Sequence, residues 1–226
     1  MRLTSKQETE GHWISVADLM AGLMMIFLFI AISYMIQVKK TARTYTEIQS
    51  KIYQALYQEF NNDLKQWGAV INQKDLTITF KEPEILFEKG KYEINQKFRT
   101  ILHDFFPRYI NILKVDEFKN EISEIRIEGH TSSEGLRGQT EDDAYFYNMN
   151  LSQNRTRSVL QYVLLLDQIK PEKSWIKQVL TANGLSSSKT IKNKDDVEDR
   201  ILSRRVEFRV KTNAEKRILK ISQTNK

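Results

Sequence analysis

The sequence predicts a single N-terminal transmembrane helix, a helical connector and then a two-layer α/β sandwich domain. Three observations predict this architecture: one apolar run near the N-terminus, a following stretch with helical spacing, and short alternating runs separated by further helical patterns. At 226 residues the chain has room for one ordinary domain besides a membrane segment. We therefore expect one hydrophobic core.

The apolar run covers residues 13–38 and reads WISVADLMAGLMMIFLFIAISYMIQV. It exceeds the roughly 20 residues that a helix needs to cross a bilayer core. Because no small-residue cleavage site interrupts it, we expect an uncleaved anchor rather than a signal peptide. Trp13 and Tyr34 are suited to the two membrane interfaces.

Asp18 is the one ionisable residue within 13–38. An ionised carboxylate near the middle of a bilayer costs on the order of 2.5–3.5 kcal/mol, so such residues usually face protein or water and have a function. The alternative is a carboxylate near the headgroups, about 7.5 Å of helix rise inside Trp13, that is merely solvated.

The basic residues around the span favour an N-terminus outside the cytoplasm. Lys39, Lys40 and Arg43 follow the span, whereas the two basic residues before it are offset by two acidic ones. The positive-inside rule would therefore place the larger, C-terminal part in the cytoplasm. The resemblance described below implies the opposite orientation, and we give it precedence.

The connector has helical spacing and contains no proline or glycine until Gly68. Its apolar positions recur at three- and four-residue steps: Tyr45, Ile48, Ile52 and Ala55. A helix over 41–67 would extend roughly 40 Å from the membrane. Its stripe suits either packing in a core or a seam between two copies of the chain.

After Gly68 the pattern changes to that of an α/β domain. Alternating runs predict strands at 76–80, 125–128 and 206–210. Helical patterns lie at 98–109, with Pro107 interrupting late, and at 151–166. The apolar face of the second helix consists of Val159, Tyr162, Val163 and Leu166. This alternation predicts a sheet covered by helices on one side.

A net charge of +6 fits nucleic acid, an anionic membrane surface or an acidic polymer such as cell wall. Nucleic acid is not expected, because no recognised motif or basic–aromatic face accompanies the charge. The absence of cysteine excludes disulfides and cysteine-ligated zinc. No convincing nucleophile, metal cluster or pair of catalytic carboxylates occurs, so we expect no enzyme, no cofactor and no metal.

Glu128 and His130 project to the same side of a predicted strand and could form an acid–base pair or half a metal site. The other histidines, His12 and His103, are remote in sequence, and no HExxH spacing occurs. We therefore favour a structural role for His130.

The N-terminal segment WISVADLMAGLMMIFLF resembles the start of stator subunits of the MotB, ExbD and TolR type. In these a tryptophan precedes a short polar turn and an aspartate followed by an apolar helix. Joined to the soluble domain, the run VADLMAGLMMIFLFI is most similar to the MotB-like B subunits of Zorya anti-phage defence systems. The resemblance implies that Asp18 carries the proton of a membrane motor.

Three segments of the soluble domain resemble the OmpA C-terminal family in the right order. They are IRIEGHTSSEG at 125–135, YNMNLSQNRTRSVLQYV at 147–163 and SRRVEFRV at 203–210, and the likeness covers roughly 76–211. The middle segment carries the most diagnostic pattern: Tyr147, Asn148, Leu151, Ser152 and Arg155. The resemblance implies that these residues, with Thr131 and Ser132, bind peptidoglycan.

Ser152 is a plausible N-cap, which would place Arg155 in the first turn of a helix. There the free backbone N–H groups and the guanidinium fork could together hold a carboxylate such as that of diaminopimelate. The alternative for Arg155 is a surface ion pair. Ser132 stands where the family usually has an aspartate that helps to hold the ligand, so binding is weaker or Glu134 takes that role.

The resemblance also implies partners and a location. A homodimer of this chain would lie inside a ring of MotA-like multi-span A subunits, a pentamer by resemblance, which could contact cytoplasmic defence effectors. The predicted segments are a cytoplasmic N-terminus (1–12), a transmembrane helix (13–38), a connector (39–70), a periplasmic peptidoglycan-binding domain (71–212) and a charged tail (213–226). The location that the resemblance implies is the bacterial inner membrane. Two alternatives remain: a flagellar MotB-type stator subunit, and a passive tether from membrane to peptidoglycan without ion transport.

Overall fold

The computed structural model describes residues 5–81 and 86–213, without the side chains of residues 5–12, 14, 15, 41, 42, 44 and 45. The predicted charged tail, 213–226, therefore lies outside the described residues apart from its first position.

The elements alternate as an α/β domain requires. The helices are α1 (Ser5–Leu64), α2 (Gln96–Leu113), α3 (Asp116–Lys119), α4 (Glu141–Leu164), α5 (Lys173–Val179) and α6 (Arg200–Ser203), with a 3₁₀ helix at Asp167–Glu172. The strands are β1 (Ala69–Asn72), β2 (Thr77–Phe80), β3 (Ile122–His130), β4 (Leu180–Gly184) and β5 (Arg205–Thr212). The predicted fold class is confirmed.

The five strands form one sheet in the order β1-β2-β5-β3-β4. Strands β3 and β4 are parallel, and the other neighbours are antiparallel. The three predicted strands are confirmed as β2, β3 and β5, whereas β1 and β4 were not predicted. Both are edge strands of four or five residues, and β4 is mostly half-buried, so neither carries a strong apolar alternation.

The predicted span and connector form one unbroken helix, α1, of 60 residues. Its apolar part, Val16–Lys40, is long enough to cross a membrane and is not covered by any described part of the chain. The helix ends at Leu64, three residues earlier than predicted, because Gly68 adopts a φ of 61° in the turn that leads into β1.

The C-terminal part of α1 belongs to the core of the domain. Ile52, Leu56 and Phe60 are fully buried against the sheet and α2. From Ile48 onward the predicted stripe therefore serves as core packing, while the side chain of Tyr45 is outside the described residues. The domain begins earlier along the chain than the predicted boundary at 70/71.

Arg108 of α2 fastens α1 to the domain. Its guanidinium contacts the carboxylates of Glu59 at 2.7 Å and Asp63 at 2.8 Å, both on α1. It also lies 5.0 Å from the ring centroid of Phe60. These charge-assisted contacts orient α1 as it enters the domain.

The core of the sandwich is rich in aromatic side chains. Phe105 of α2 lies at its centre, with its ring centroid 5.2 Å from that of Phe60, 5.3 Å from Phe80 and 5.1 Å from Phe208. The same packing explains why Pro107 does not interrupt the helix as predicted: α2 continues to Leu113. Its buried face offsets the roughly 3 kcal/mol that proline costs inside a helix.

Candidate functional site

A cavity of about 670 Å³ opens beside the end of β3, and it contains most of the residues predicted from sequence. Those that line it are Thr131, Ser132, Tyr147, Asn148, Leu151 and Arg155. The other lining residues are Phe87, Lys89, Gly90, Glu134, Gly135, Leu136, Arg137 and Arg204. The walls therefore come from α4, from the loops that follow β2 and β3, and from the residue before β5.

Arg155 is fixed in the wall by backbone and aromatic contacts. Its Nε donates to the carbonyl oxygen of Lys91 at 2.9 Å, and its Nη2 donates to that of Glu88 at 3.3 Å. Its guanidinium carbon lies 4.9 Å from the ring centroid of Phe87. Burial lowers the pKa of Arg155 to about 10, which still leaves the group cationic at neutral pH.

The surface ion pair, the alternative role for Arg155, is not found: within 5–81 and 86–213 no carboxylate lies within ion-pair distance of it. Its Nη1 group also makes no hydrogen bond within these ranges. A half-buried guanidinium with free donors is well suited to a carboxylate from outside the chain.

The prediction that Ser152 caps a helix is wrong. The N-cap of helix α4 is Thr140, twelve residues before Ser152, and its side chain forms a capping box with Asp143. Ser152 lies in the middle of the helix and outside the cavity wall. Its Oγ donates to the carbonyl oxygen of Met149 at 3.0 Å and accepts from the backbone N–H of Ser186 at 3.1 Å.

The position of Arg155 within α4 determines how it can bind an anion. Because Arg155 lies far from the N-terminus of α4, its neighbouring backbone N–H groups are engaged within the helix. The positive end of the helix is instead occupied by Glu141, Asp142 and Asp143. Side chains alone must hold a ligand here.

The loop after β3 is held in place by residues from three other segments. The backbone N–H of Thr131 donates to the carbonyl oxygen of Ser186 at 3.0 Å. Asn148 Nδ2 donates to the carbonyl oxygen of Glu134 at 3.0 Å, and the backbone N–H of Ser133 donates to Glu198 at 3.0 Å. Asn148 therefore orients the cavity wall through its contact with the loop.

Glu134, the predicted substitute for the family aspartate, already has a cationic neighbour. Its Oε2 lies 3.7 Å from Nη1 of Arg204. Ser132 and Thr131 are buried and supply hydroxyl groups without charge. The cavity therefore has no carboxylate that is free of a cation among the described residues.

Sequence reasoning missed Arg204, Arg137, Lys89 and Phe87 as parts of the site. Arg204 lies in the SRRVEFRV segment, so its place in a recognised motif was the available signal. Phe87 had no such signal, because its role depends on a contact with a residue far along the chain.

Glu128 and His130 belong to an ion-pair network on the face of the sheet opposite the helices. His130 Nε2 lies 3.5 Å from Glu207 of β5, which also contacts Arg205 Nε at 2.6 Å. The ligand atoms of the two glutamates and His130 lie within 4.8 Å of one another. Each carboxylate already has an arginine beside it: Arg205 for Glu207, and Arg126, at 3.7 Å, for Glu128. This favours the structural role expected for His130.

Asp18 lies two residues into the apolar part of α1 and is exposed in the isolated chain. No described side chain of the domain approaches it, so the cavity and this carboxylate are separate features joined by one helix.

The OmpA family matches residues 86–203, which include the whole cavity wall except Arg204. The chain is 46% identical over 229 residues to Zorya protein ZorB of Escherichia coli strain Crooks, with 98% of this chain and 97% of that protein covered. The chain belongs to the Zorya ZorB family. A second Zorya protein ZorB, from Escherichia coli O139:H28 strain E24377A, is 26% identical over 91% of this chain and 82% of its own length.

A crystal structure of a MotB-like protein from Desulfovibrio vulgaris has a similar fold. The TM-score is 0.52 at 23% identity, and the match covers 75% of this chain and 94% of that one. Membership of the family and the OmpA-like fold agree with the resemblance identified from sequence.

Proposed function

We propose that the chain is the wall-anchored stator subunit of a proton-driven inner-membrane motor that serves Zorya anti-phage defence. One observation supports this most: a single unbroken helix joins an uncovered apolar span containing one carboxylate to a cavity containing a guanidinium without a carboxylate partner among the described residues. The span supplies a site for ion transfer, and the cavity supplies a site for an external anion.

The cavity acts as the anchor to peptidoglycan. Stem peptides of the wall carry carboxylates, and Arg155 presents free N–H donors in a half-buried wall. Tyr147 and Leu151 add apolar surface beside it, while Thr131 and Ser132 form a neutral part of the wall. Asn148 and Ser152 hold this wall in place, because their side chains form hydrogen bonds with backbone groups of the neighbouring loops.

Asp18 carries the proton in association with a partner. A single helix cannot enclose a path for ions, and a carboxylate in a span requires protein or water around it. We propose that a multi-span MotA-like A subunit forms a ring around two copies of this chain, with Asp18 facing the ring. One proton crossing 100 mV releases about 2.3 kcal/mol, which can drive rotation of the ring around the anchored dimer. The ring would pass the signal to cytoplasmic effectors.

The anchor is tested with the full chain in detergent, sedimented with isolated peptidoglycan. Across a series of peptidoglycan concentrations, Arg155→Ala should raise the apparent Kd at least about tenfold, because a charge-assisted contact contributes about 1.5–3 kcal/mol. Arg157→Ala is the matched control, since Arg157 is exposed on the same helix and outside the cavity wall. Thermal unfolding of each variant separates lost binding from lost structure.

Equal sedimentation of Arg155→Ala and the unchanged chain would refute the proposed anchor. The proposed orientation, with the N-terminus in the cytoplasm, is measured in parallel with a reporter fused after Lys226. Activity of the reporter in the cytoplasm would refute the stator function, because the cavity could not reach the wall.

A further inference from the structure

The cavity wall carries a marked excess of positive charge. Among the described residues, four cationic ones line it, namely Lys89, Arg137, Arg155 and Arg204, against one acidic residue, Glu134. Within the described residues only Arg204 among these cations has an ion-pair partner, and that partner is Glu134 at 3.7 Å. Three cationic groups therefore line the cavity without a neutralising carboxylate among the described residues.

Two of the guanidinium groups are close enough to affect each other. The positive charge of Arg204 contributes to lowering the pKa of Arg155, although burial is the larger cause. Both residues also border a narrow crevice next to the main cavity. Like charges held together in a partly buried wall repel, and an anion between them relieves that repulsion.

The rest of the wall offers little to a cationic ligand group. Ser132 is neutral, and the one carboxylate among the described lining residues, Glu134, already contacts Arg204. Thr131 is also buried and adds no charge to the wall. The wall is thus complementary to negative charge and not to a zwitterion.

We propose that the cavity selects peptides that bear at least two carboxylates, one bound by Arg155 and one by Arg204. No described group of the cavity recognises the amine of the ligand. This inference rests on the proposed anchoring function and narrows its ligand. Arg204 is a specificity-determining residue: it exchanges its long contact with Glu134 for a ligand carboxylate. Arg155 holds the other carboxylate through its free Nη1 group.

The test uses the full chain in detergent and three forms of one probe, the tripeptide L-alanyl-γ-D-glutamyl-meso-diaminopimelate. The first form is unmodified, the second has its free carboxylates amidated, and the third has its free amines acetylated. Calorimetry should show that amidation weakens binding at least about tenfold, because charge-assisted hydrogen bonds are lost. Acetylation should change the affinity less than about twofold.

Two variants test whether Arg204 causes the preference for the unmodified over the amidated peptide. Arg204→Gln should weaken binding of the unmodified peptide roughly tenfold and reduce, without abolishing, the difference in affinity between the unmodified and amidated forms, because Arg155 still holds one carboxylate. Arg200→Gln, an exposed arginine four residues earlier and outside the wall, should leave both values unchanged. Agreement with these values would support the two-carboxylate site.

Other outcomes distinguish this inference from the anchoring function. If acetylation weakens binding as much as amidation, or if Arg204→Gln binds like the unchanged chain, the inference is overturned and the anchor stands. Binding to intact peptidoglycan but not to the tripeptide would also overturn the inference, because it would show that the cavity recognises the glycan strand. Failure to bind either would overturn both.

Discussion

Glu207 lies directly opposite another carboxylate, Glu128, on the neighbouring strand of the sheet. Two like charges in this register destabilise a sheet unless cations accompany them. Arg205 Nε at 2.6 Å provides such a partner for Glu207, and His130 Nε2 lies 3.5 Å from the same carboxylate. Burial raises the pKa of Glu207, but His130 and Arg205 outweigh it and lower the pKa to about 2, from an ordinary value of 4.5.

This lowered pKa predicts how stability depends on pH. A carboxyl whose pKa falls on folding stabilises the native state above its unfolded value, and the effect is lost as pH falls towards the folded value. Glu207→Gln should therefore lower the free energy of unfolding by about 3 kcal/mol at pH 7. The difference should shrink between pH 4.5 and about 2. Chemical unfolding of the full chain in detergent, followed by tryptophan fluorescence, measures it.

Glu117→Gln is the control for this comparison. Glu117 also pairs with a basic residue, Lys51, but both side chains are more than half exposed. Solvent screens such a pair, so this change should alter neither the stability nor its pH dependence appreciably. A Glu207→Gln variant that behaves like Glu117→Gln would contradict the stabilising role of the buried network.

Residues that lie together in one sequence segment were the easiest part of the site to predict. Tyr147, Asn148, Leu151 and Arg155 fall on one helix, and the structure places all four in the cavity wall. Phe87 could not be predicted, because nothing in the spacing of the chain joins it to Arg155. The misassigned N-cap has a different cause: a serine in the middle of a helix and a serine at its start look alike in sequence.

Helix α4 and strand β4 approach each other unusually closely at Gly184. A Cβ atom at this position would lie 2.4 Å from the backbone nitrogen of Gln153 and 2.8 Å from Ser152 Oγ. The Gln153 side chain also accepts a hydrogen bond from the Gly184 N–H at 2.8 Å. This contact fixes the height of α4 above the sheet, and with it the position of Arg155.

Gly184→Ala should push α4 away from the sheet. We expect a loss of about 2–3 kcal/mol in the free energy of unfolding, because the clash involves backbone atoms that cannot rotate aside. Binding to peptidoglycan should weaken as well, since Arg155 moves with the helix. Unfolding and sedimentation of the full chain measure the two effects.

Asn183→Ala tests the neighbouring position on the same strand. The Asn183 side chain donates one hydrogen bond, to Thr181 at 3.1 Å, so its loss should cost only about 1 kcal/mol and leave binding intact. Equal stability of Gly184→Ala and the unchanged chain would show that the close approach is not required.

At the level of elements, the sequence identified those with strong periodic patterns. Strands β2, β3 and β5 alternate clearly and lie at the centre of the sheet. The edge strands β1 and β4 have weaker patterns, and their assignment depends on pairing with distant strands. The start of α4 was predicted ten residues late because its first turns are acidic and polar, and a capping box rather than an apolar face defines the start.

At the scale of the whole molecule, the proposed transfer of protons depends on the carboxylate of Asp18. Asp18→Asn keeps the size and hydrogen-bonding capacity of the side chain but cannot exchange a proton. We expect this variant to insert, assemble with the A subunit and bind peptidoglycan normally, while protection against phage is lost. Plating efficiency of phage, with recovery of the complex in detergent, measures both.

Asp18→Glu provides a graded comparison. It retains the acid but displaces it by one methylene, so we expect partial protection at best. If Asp18→Asn assembles and protects as well as the unchanged chain, the carboxylate is an interfacial residue. The passive tether would then be the better description of the molecule.

Because α1 is one continuous helix, its length sets both the distance of the domain from the span and the direction in which the cavity faces. About 12 residues separate the end of the span at Lys40 from Ile52 in the core of the domain, a rise of about 18 Å. Each residue of a helix adds about 1.5 Å and turns it by about 100°. One inserted residue would barely raise the domain but would turn the cavity towards a different side, whereas seven would raise it by about 10 Å and nearly restore its heading. The number of residues in this segment therefore sets the side of the helix axis towards which the cavity faces, as well as the distance of the cavity from the span.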